Sequence, residues 1–420
     1  MTAWLLEKAW VDGVVRNTVR VEIEDGMFTS VEPDATRTAT PLRGLTLPGF
    51  ANTHSHAFHR ALRGRTQRAS GTFWTWREQM YDAAARLDPD SYFDLASATY
   101  AEMLAAGYTS VSEFHYVHHQ PDGTPYDDPN ALGHALVAAA ETTGIRLTLL
   151  DTCYLAGGIG QPLSPAQCRF GDGDADRWAA RVADIRHGDQ TRMGGAIHSV
   201  RAVPRDQMST VVAALQGRQL HAHVSEQPVE NEACLAAYGL TPTALLAEEG
   251  ALGPRATAVH ATHLTDADMR LLAETDTEVS LCPTTERDLG DGIGPASALA
   301  DAGVRLSIGS DSQAVIDPFE ELRAWEMDER LASGERGRFA AADLLARTAG
   351  RIAVGEPGDL VTLDLASPRT AGTGADEHTA VFAATSADVT QVVAGGRVVF
   401  DGDHGRVGRA LATAVERLWA

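Results

Sequence analysis

The sequence predicts an α/β fold, a (β/α)8 TIM-like barrel, and three observations carry that prediction. Eight apolar, β-type runs recur through the middle of the chain, most of them separated by helical stretches. Ionisable side chains collect at the C-terminal ends of these runs, where a parallel barrel places its chemistry. Short alternating strands at both chain ends frame the whole.

At the N-terminus, apolar and polar residues alternate, as in Val19-Arg20-Val21-Glu22-Ile23, and Asp25-Gly26 supplies a turn. The eight barrel runs are Leu47 to His56, Tyr108 to Val117, Arg146 to Leu155, Gly194 to Arg201, Leu220 to Gln227, Ala256 to Leu264, Val279 to Glu286 and Val304 to Ser312. Amphipathic spacing predicts helices over Ser91 to Ala106, Pro204 to Leu215 and Asp266 to Glu274. Strand-like texture returns at Asp359 to Leu365 and Val389 to Phe400, and the Ser-, Pro-, Thr- and Gly-rich stretch Ala366 to His378 reads as a surface loop.

With 420 residues, 44% of them hydrophobic, the chain can bury one large domain or a large and a small one. A formal net charge of −22 repels phosphate backbones and anionic lipid surfaces, so neither nucleic acid nor membrane is expected as a partner. No apolar run reaches the roughly 20 residues of a membrane helix, and no basic region followed by an apolar stretch opens the chain, which leads us to expect a soluble cytoplasmic protein. Cys153, Cys168, Cys234 and Cys282 are scattered, which suggests neither a disulfide framework nor a cysteine-rich zinc site.

Metal chemistry enters with His54-Ser55-His56. Residues two apart on a strand share a face, so both imidazoles can meet one ion. Alone the pair is weak evidence, since two strand histidines are more often ordinary hydrogen-bonded residues. His223 ends a second run and Asp311 a third, and three imidazoles with one carboxylate suit zinc or another late first-row divalent ion that keeps a position open for water. His221 shares a strand face with His223 and stays open as an outer partner or a core histidine. The nucleobase-deaminase signature fails, because Cys282-Pro283 has no second cysteine beside it.

Leu-Pro-Gly-Phe-Ala-Asn-Thr-His-Ser-His, His223-x-x-Glu226, Val259-His260-Ala261-Thr262-His263 and Gly309-Ser310-Asp311-Ser312 together resemble the amidohydrolase superfamily. The resemblance implies a barrel (48–351) flanked by a small β-sandwich domain built from both termini (1–47 and 352–420). It further implies Glu226 as general acid, Asp311 as acceptor of the attacking water's proton and His260 as a group that orients water or stabilises developing charge. Binuclear members bridge their metals with a carboxylated lysine, but the only lysine here is Lys8, outside the barrel. One divalent metal per subunit is therefore expected, Zn2+ first and Fe2+ as the alternative, held by His54, His56, His223 and Asp311; a carboxylate or cysteine bridge stays open.

Arginine presents a planar fork that grips carboxylates bidentately, and Arg77 and Arg201 near the strand ends of an acidic protein suggest an anionic, dicarboxylate ligand. The blander reading pairs them with Glu78 or Asp206. Phe73-Trp74-Thr75-Trp76-Arg77-Glu78-Gln79-Met80-Tyr81, Glu113 to His119, His198-Ser199-Val200-Arg201-Ala202-Val203 and Thr285 to Ile293 resemble the formimidoylglutamate deiminases within that superfamily. Their likeness implies hydrolytic deamination of N-formimidoyl-L-glutamate in histidine degradation, a homodimer, and a substrate grip by Arg77, Tyr116, His198 and Arg201. His59 departs from the family string, where glutamine is expected at a substrate-binding position; an imidazole still offers one hydrogen bond there. The rival readings are a heterocycle deaminase, which would want an apolar stacking pocket without two arginines, and a non-catalytic scaffold, which would be expected to have lost ligands that are all present.

Overall fold

Alternating residues at the N-terminus form four strands in the computed structural model, which describes residues 2–68, 70–188 and 190–420. These are β1 (Thr2–Val11), β2 (Val14–Glu24), β3 (Met27–Glu32) and β4 (Thr40–Pro48). Asp12-Gly13 and Asp25-Gly26 link the first three, all four residues at positive φ, the geometry of a tight hairpin turn that matches strand twist.

Eight parallel strands follow: β5 (Phe50–Ser55), β6 (Tyr108–His115), β7 (Arg146–Cys153), β8 (Thr191–Ile197), β9 (Leu220–Val224), β10 (Ala256–His260), β11 (Glu278–Leu281) and β12 (Leu306–Ile308). Each is hydrogen-bonded to the next in that order. The ring closes just past β12, where Ser55 bridges Asp311: the Asp311 N–H donates to the His54 carbonyl at 3.0 Å and the His56 N–H to the Asp311 carbonyl at 3.2 Å.

The C-terminal strands β13 (Leu360–Leu363), β14 (Val389–Ala394) and β15 (Arg397–Phe400) return to the first four in one seven-stranded mixed sheet, ordered β15-β14-β13-β4-β1-β2-β3. Leu45, Leu47, Val361 and Leu363 from this sheet join the buried apolar cluster of the barrel, while Trp4, Leu6, Val19 and Val21 form a second, smaller core. A C-terminal helix, His404–Trp419, which the strand reading does not anticipate, packs on the helix Pro89–Ala106 and ties back to the barrel through Trp419 Nε1 donating to the Ala61 carbonyl at 3.0 Å.

The three expected helices form with small changes at their ends. Pro89–Ala106 starts two residues early, because Asp88 caps it by accepting from Ser91 N and Pro89 suits the first turn. The barrel runs, by contrast, overshoot. The expected strand Val279 to Glu286 stops at Leu281, since Pro283 has no N–H to donate to a ladder and instead opens the helix Pro283–Leu289. The runs from Leu220, Ala256 and Val304 end at Val224, His260 and Ile308, and positive φ at Ser225 (52°), His260 (67°), Ala261 (52°) and Asp311 (40°) turns the chain there. Non-glycine residues in that region are uncommon and cluster at functional sites. In the expected loop Ala366 to His378, Glu377 and His378 begin a short helix capped by Asp376.

Candidate active site

Strand alternation turns His54 and His56 into the barrel mouth, both almost wholly buried. Barrel closure then brings Asp311 to them: Oδ1 lies 3.2 Å from His54 Nε2 and 3.3 Å from His56 Nε2. His223, from the end of β9, places its Nε2 3.2 Å from that of His54. Hydrogen bonding sets the tautomers, for His56 Nδ1 donates to the Phe114 carbonyl and His223 Nδ1 to the His198 carbonyl, each at 2.9 Å. Their Nε2 lone pairs are left facing inward beside a carboxylate, an arrangement that calls for a cation at its centre.

The donor set therefore fits a divalent metal of the late first-row kind. His260 comes within the same cluster, its Nε2 3.8 Å from Asp311 Oδ2 and 3.7 Å from Glu226 Oε1. His221 lies outside this group of donors, buried two residues earlier on β9, with burial lowering it to about 3, so it is a neutral core imidazole.

Electrostatics separates the roles. Burial works against a charge on Asp311, yet the His54 and His56 imidazoles hold its carboxyl well below the ordinary range. Burial raises Glu226 against the pull of His260, with Asp311 adding to the rise, which favours the protonated acid. Burial alone would lower His260, but the carboxylates of Glu226, Glu286 and Asp311 raise it to about 10.

A chain of buried side chains clamps the end of β5 to the turn after β12, the two segments that carry His54, His56 and Asp311. Asn52 Nδ2 donates to Ser310 Oγ at 2.6 Å, Ser310 Oγ to Gln313 Oε1 at 2.8 Å, and Gln313 Nε2 to Ser55 Oγ at 3.0 Å. Glu113 ends the chain by accepting from Ser55 Oγ at 2.7 Å and Ala57 N at 2.6 Å, gripping both neighbours of His56.

Above the metal cluster lies a pocket that takes in all five expected substrate residues, His59, Arg77, Tyr116, His198 and Arg201. Arg77 stands in the first turns of the helix Phe73–Ala85 with its guanidinium 4.5 Å from the Trp74 ring and 5.7 Å from that of Tyr81. It pairs with no acid among the described residues, so the pairing with Glu78 does not occur. Arg201 pairs with buried Glu230 rather than Asp206, through Nε at 3.3 Å. Tyr116 Oη lies 2.9 Å from His59 Nε2, and His59 Nδ1 is buried without a partner among the described residues. Burial, then the charge of Arg201, keeps His198 neutral, and its ring meets that of Tyr154 at 4.4 Å.

Glu113, Glu230 and Glu286 are contributions that sequence reasoning did not single out. Glu286 accepts from Cys282 N at 2.9 Å and faces His260 Nδ1 at 3.5 Å. The available signal was an acid inside a β-type run, as with Glu113 before Phe114 in β6.

Residues 45–399 match the model of the amidohydrolase family. A formimidoylglutamate deiminase of Pseudomonas aeruginosa is 38% identical across all of this chain and 99% of its own. An 8-oxoguanine deaminase of the same organism is 27% identical over 89% of this chain and 88% of its own. Among solved structures, an amidohydrolase from Brucella melitensis superposes with a TM-score of 0.91 at 31% identity, covering both chains fully. A zinc-bound adenosine deaminase from Xanthomonas campestris, at 23% identity, shares the fold with a TM-score of 0.84 over 100% of this chain and 98% of its own.

Proposed function

The chain belongs to the amidohydrolase family, and from that premise we infer that it hydrolyses the linear amidine N-formimidoyl-L-glutamate to N-formyl-L-glutamate and ammonia. The observation that carries the reading is the meeting, in one pocket, of a metal-competent His/Asp centre with two arginines from separate elements. A substrate with two carboxylates and a hydrolysable C–N bond between water and acid uses every part of that pocket.

His54, His56, His223 and Asp311 would hold one divalent ion, Zn2+ in our reading with Fe2+ as the alternative. When bound, such an ion supplies Lewis acidity and hydroxide near neutral pH. Asp311 takes the proton of the attacking water. Glu226, whose acid form burial favours, delivers a proton to the amidine nitrogen so that ammonia can leave. His260, set among Glu226, Glu286 and Asp311, orients the water and offsets the charge that develops as the tetrahedral centre forms. Arg77, Tyr116, His198 and Arg201 grip the carboxylates, and His59, beside the Tyr116 hydroxyl, offers one further hydrogen bond.

Work in histidine degradation, in the cytoplasm and as a homodimer, completes the proposal. An ammonia-release screen tests it, with N-formimidoyl-L-glutamate beside formimidoyl-aspartate, guanidino acids and nucleobases. The highest kcat/KM should fall on N-formimidoyl-L-glutamate; a higher value on a neutral ring would transfer the protein to the heterocycle deaminases, of which the 8-oxoguanine enzyme is a relative.

A further inference from the structure

Two arginines serve this pocket, and the protein holds them in different ways. Arg77 rests against the faces of Trp74 and Tyr81. Arg201 instead gives its Nε edge to Oε2 of Glu230 at 3.3 Å, while its two Nη groups make no hydrogen bond to the described residues. Glu230 sits in the first turn of the helix Pro228–Tyr238, which begins two residues after Glu226. It is wholly buried, and its Oε1 finds no hydrogen-bond partner among the described residues.

A buried carboxylate with one oxygen unsatisfied is a poor stabilising device, since an apolar side chain of similar shape would spare the fold that cost. Its presence calls for a use. A guanidinium offers separate edges, and an acid on the Nε side leaves the Nη pair as a fork of the right width for a second carboxylate. Resting on the substrate reading above, we propose that Glu230 is the positioning residue for Arg201, fixing its guanidinium so that the Nη pair meets one carboxylate of the dicarboxylate substrate. Arg77, stacked and without an acid, meets the other.

The experiment is a double-mutant cycle with two readouts: steady-state kinetics on N-formimidoyl-L-glutamate, and calorimetric binding of the product N-formyl-L-glutamate. Glu230→Met should raise KM and weaken product binding by about 10- to 100-fold, the scale of a lost charge-assisted contact, with kcat changed less than about threefold. Glu230→Gln, which keeps an acceptor for Nε but not the charge, should recover part of that loss, leaving about three- to tenfold. In an Arg201→Met background, Glu230→Met should change either readout by less than about twofold.

A merely structural glutamate would lower Tm and metal content and carry the same penalty into the Arg201→Met background; that result, or an unchanged KM and product affinity in folded Glu230→Met, overturns the proposal. Should Glu230→Met fold poorly, Glu230→Gln runs the same cycle, with a loss of about three- to tenfold expected only where Arg201 is present. Glutarate separates this inference from the substrate reading. Wild-type protein that ignores N-formimidoyl-L-glutamate, yet binds glutarate more tightly than Glu230→Met does, would sink the substrate and keep the role of Glu230.

Discussion

His54 Nε2 and Asp311 Oδ1 stand 3.2 Å apart across the seam where the first and last barrel strands meet. The two residues are more than 250 positions apart in the chain, so the metal centre forms only when the ring closes. Site assembly and barrel closure are one event, and several expectations follow from that coupling.

Loss of either seam residue should cost metal and stability together. Asp311→Asn and His54→Ala are expected to purify with little bound metal, and their Tm should fall below that of wild-type protein loaded with Zn2+, because a ligand that binds only the folded state stabilises by mass action. Metal analysis beside differential scanning calorimetry checks this; variants that keep a full metal complement would remove Asp311 and His54 from the site.

Glu226→Gln should leave metal content and Tm near wild type while lowering kcat by about 10²- to 10⁴-fold, the range for a lost general acid. The polar shape survives and the transferable proton does not. A kcat within threefold of wild type would give the proton to another group.

Glu113 is not among the clustered donors or the pocket lining, yet it grips Ser55 and Ala57 on either side of His56. Glu113→Ala is expected to weaken Zn2+ binding by about 10- to 100-fold, as outer partners of metal ligands do, and competition with a chromogenic chelator measures it. Unchanged affinity would reduce this belt to a packing feature.

Acid should destabilise the fold before it reaches ordinary carboxylates. Burial, then the neighbouring Arg181 guanidinium, lowers His118 to about 4, against about 6.5 in an unfolded chain. The folded pKa is the lower one, so this contribution is complete above about pH 6.5 and drains away as pH falls toward 4, a loss on the order of 3 kcal/mol at the bottom of that window. Asp151, where burial is outweighed by Arg181 and the neighbouring His118 and His115 together, is also depressed and extends the loss below about pH 3.9. The Tm of chelator-treated protein should therefore drop between pH 6.5 and 4. In His118→Gln, which can still donate to the Thr152 carbonyl that His118 Nε2 engages at 2.9 Å, the drop should be shallower. Identical profiles would contradict it.

How much of this was legible depends on where each residue sits. His54, His56, His223 and Asp311 could be read because strand ends in a parallel barrel converge by topology, and polar residues there stand out against apolar runs. Arg77 and Arg201 could be read as arginines of one site, and the pocket takes in both, but their different supports could not be read. Glu230 and Glu286 look like solvated acids until the fold buries them against Arg201 and His260. Strand ends were overdrawn at Ser225, His260 and Asp311, because the positive φ there is imposed by the site rather than by local preference. Periodicity of strands also hid the helix His404–Trp419.

The most direct test is metal stoichiometry against turnover of N-formimidoyl-L-glutamate. Purified protein should carry one divalent ion per chain, lose ammonia release on exhaustive chelation, and regain it in proportion to Zn2+ restored up to one equivalent. Full turnover by protein from which all divalent ions have been stripped would contradict the account.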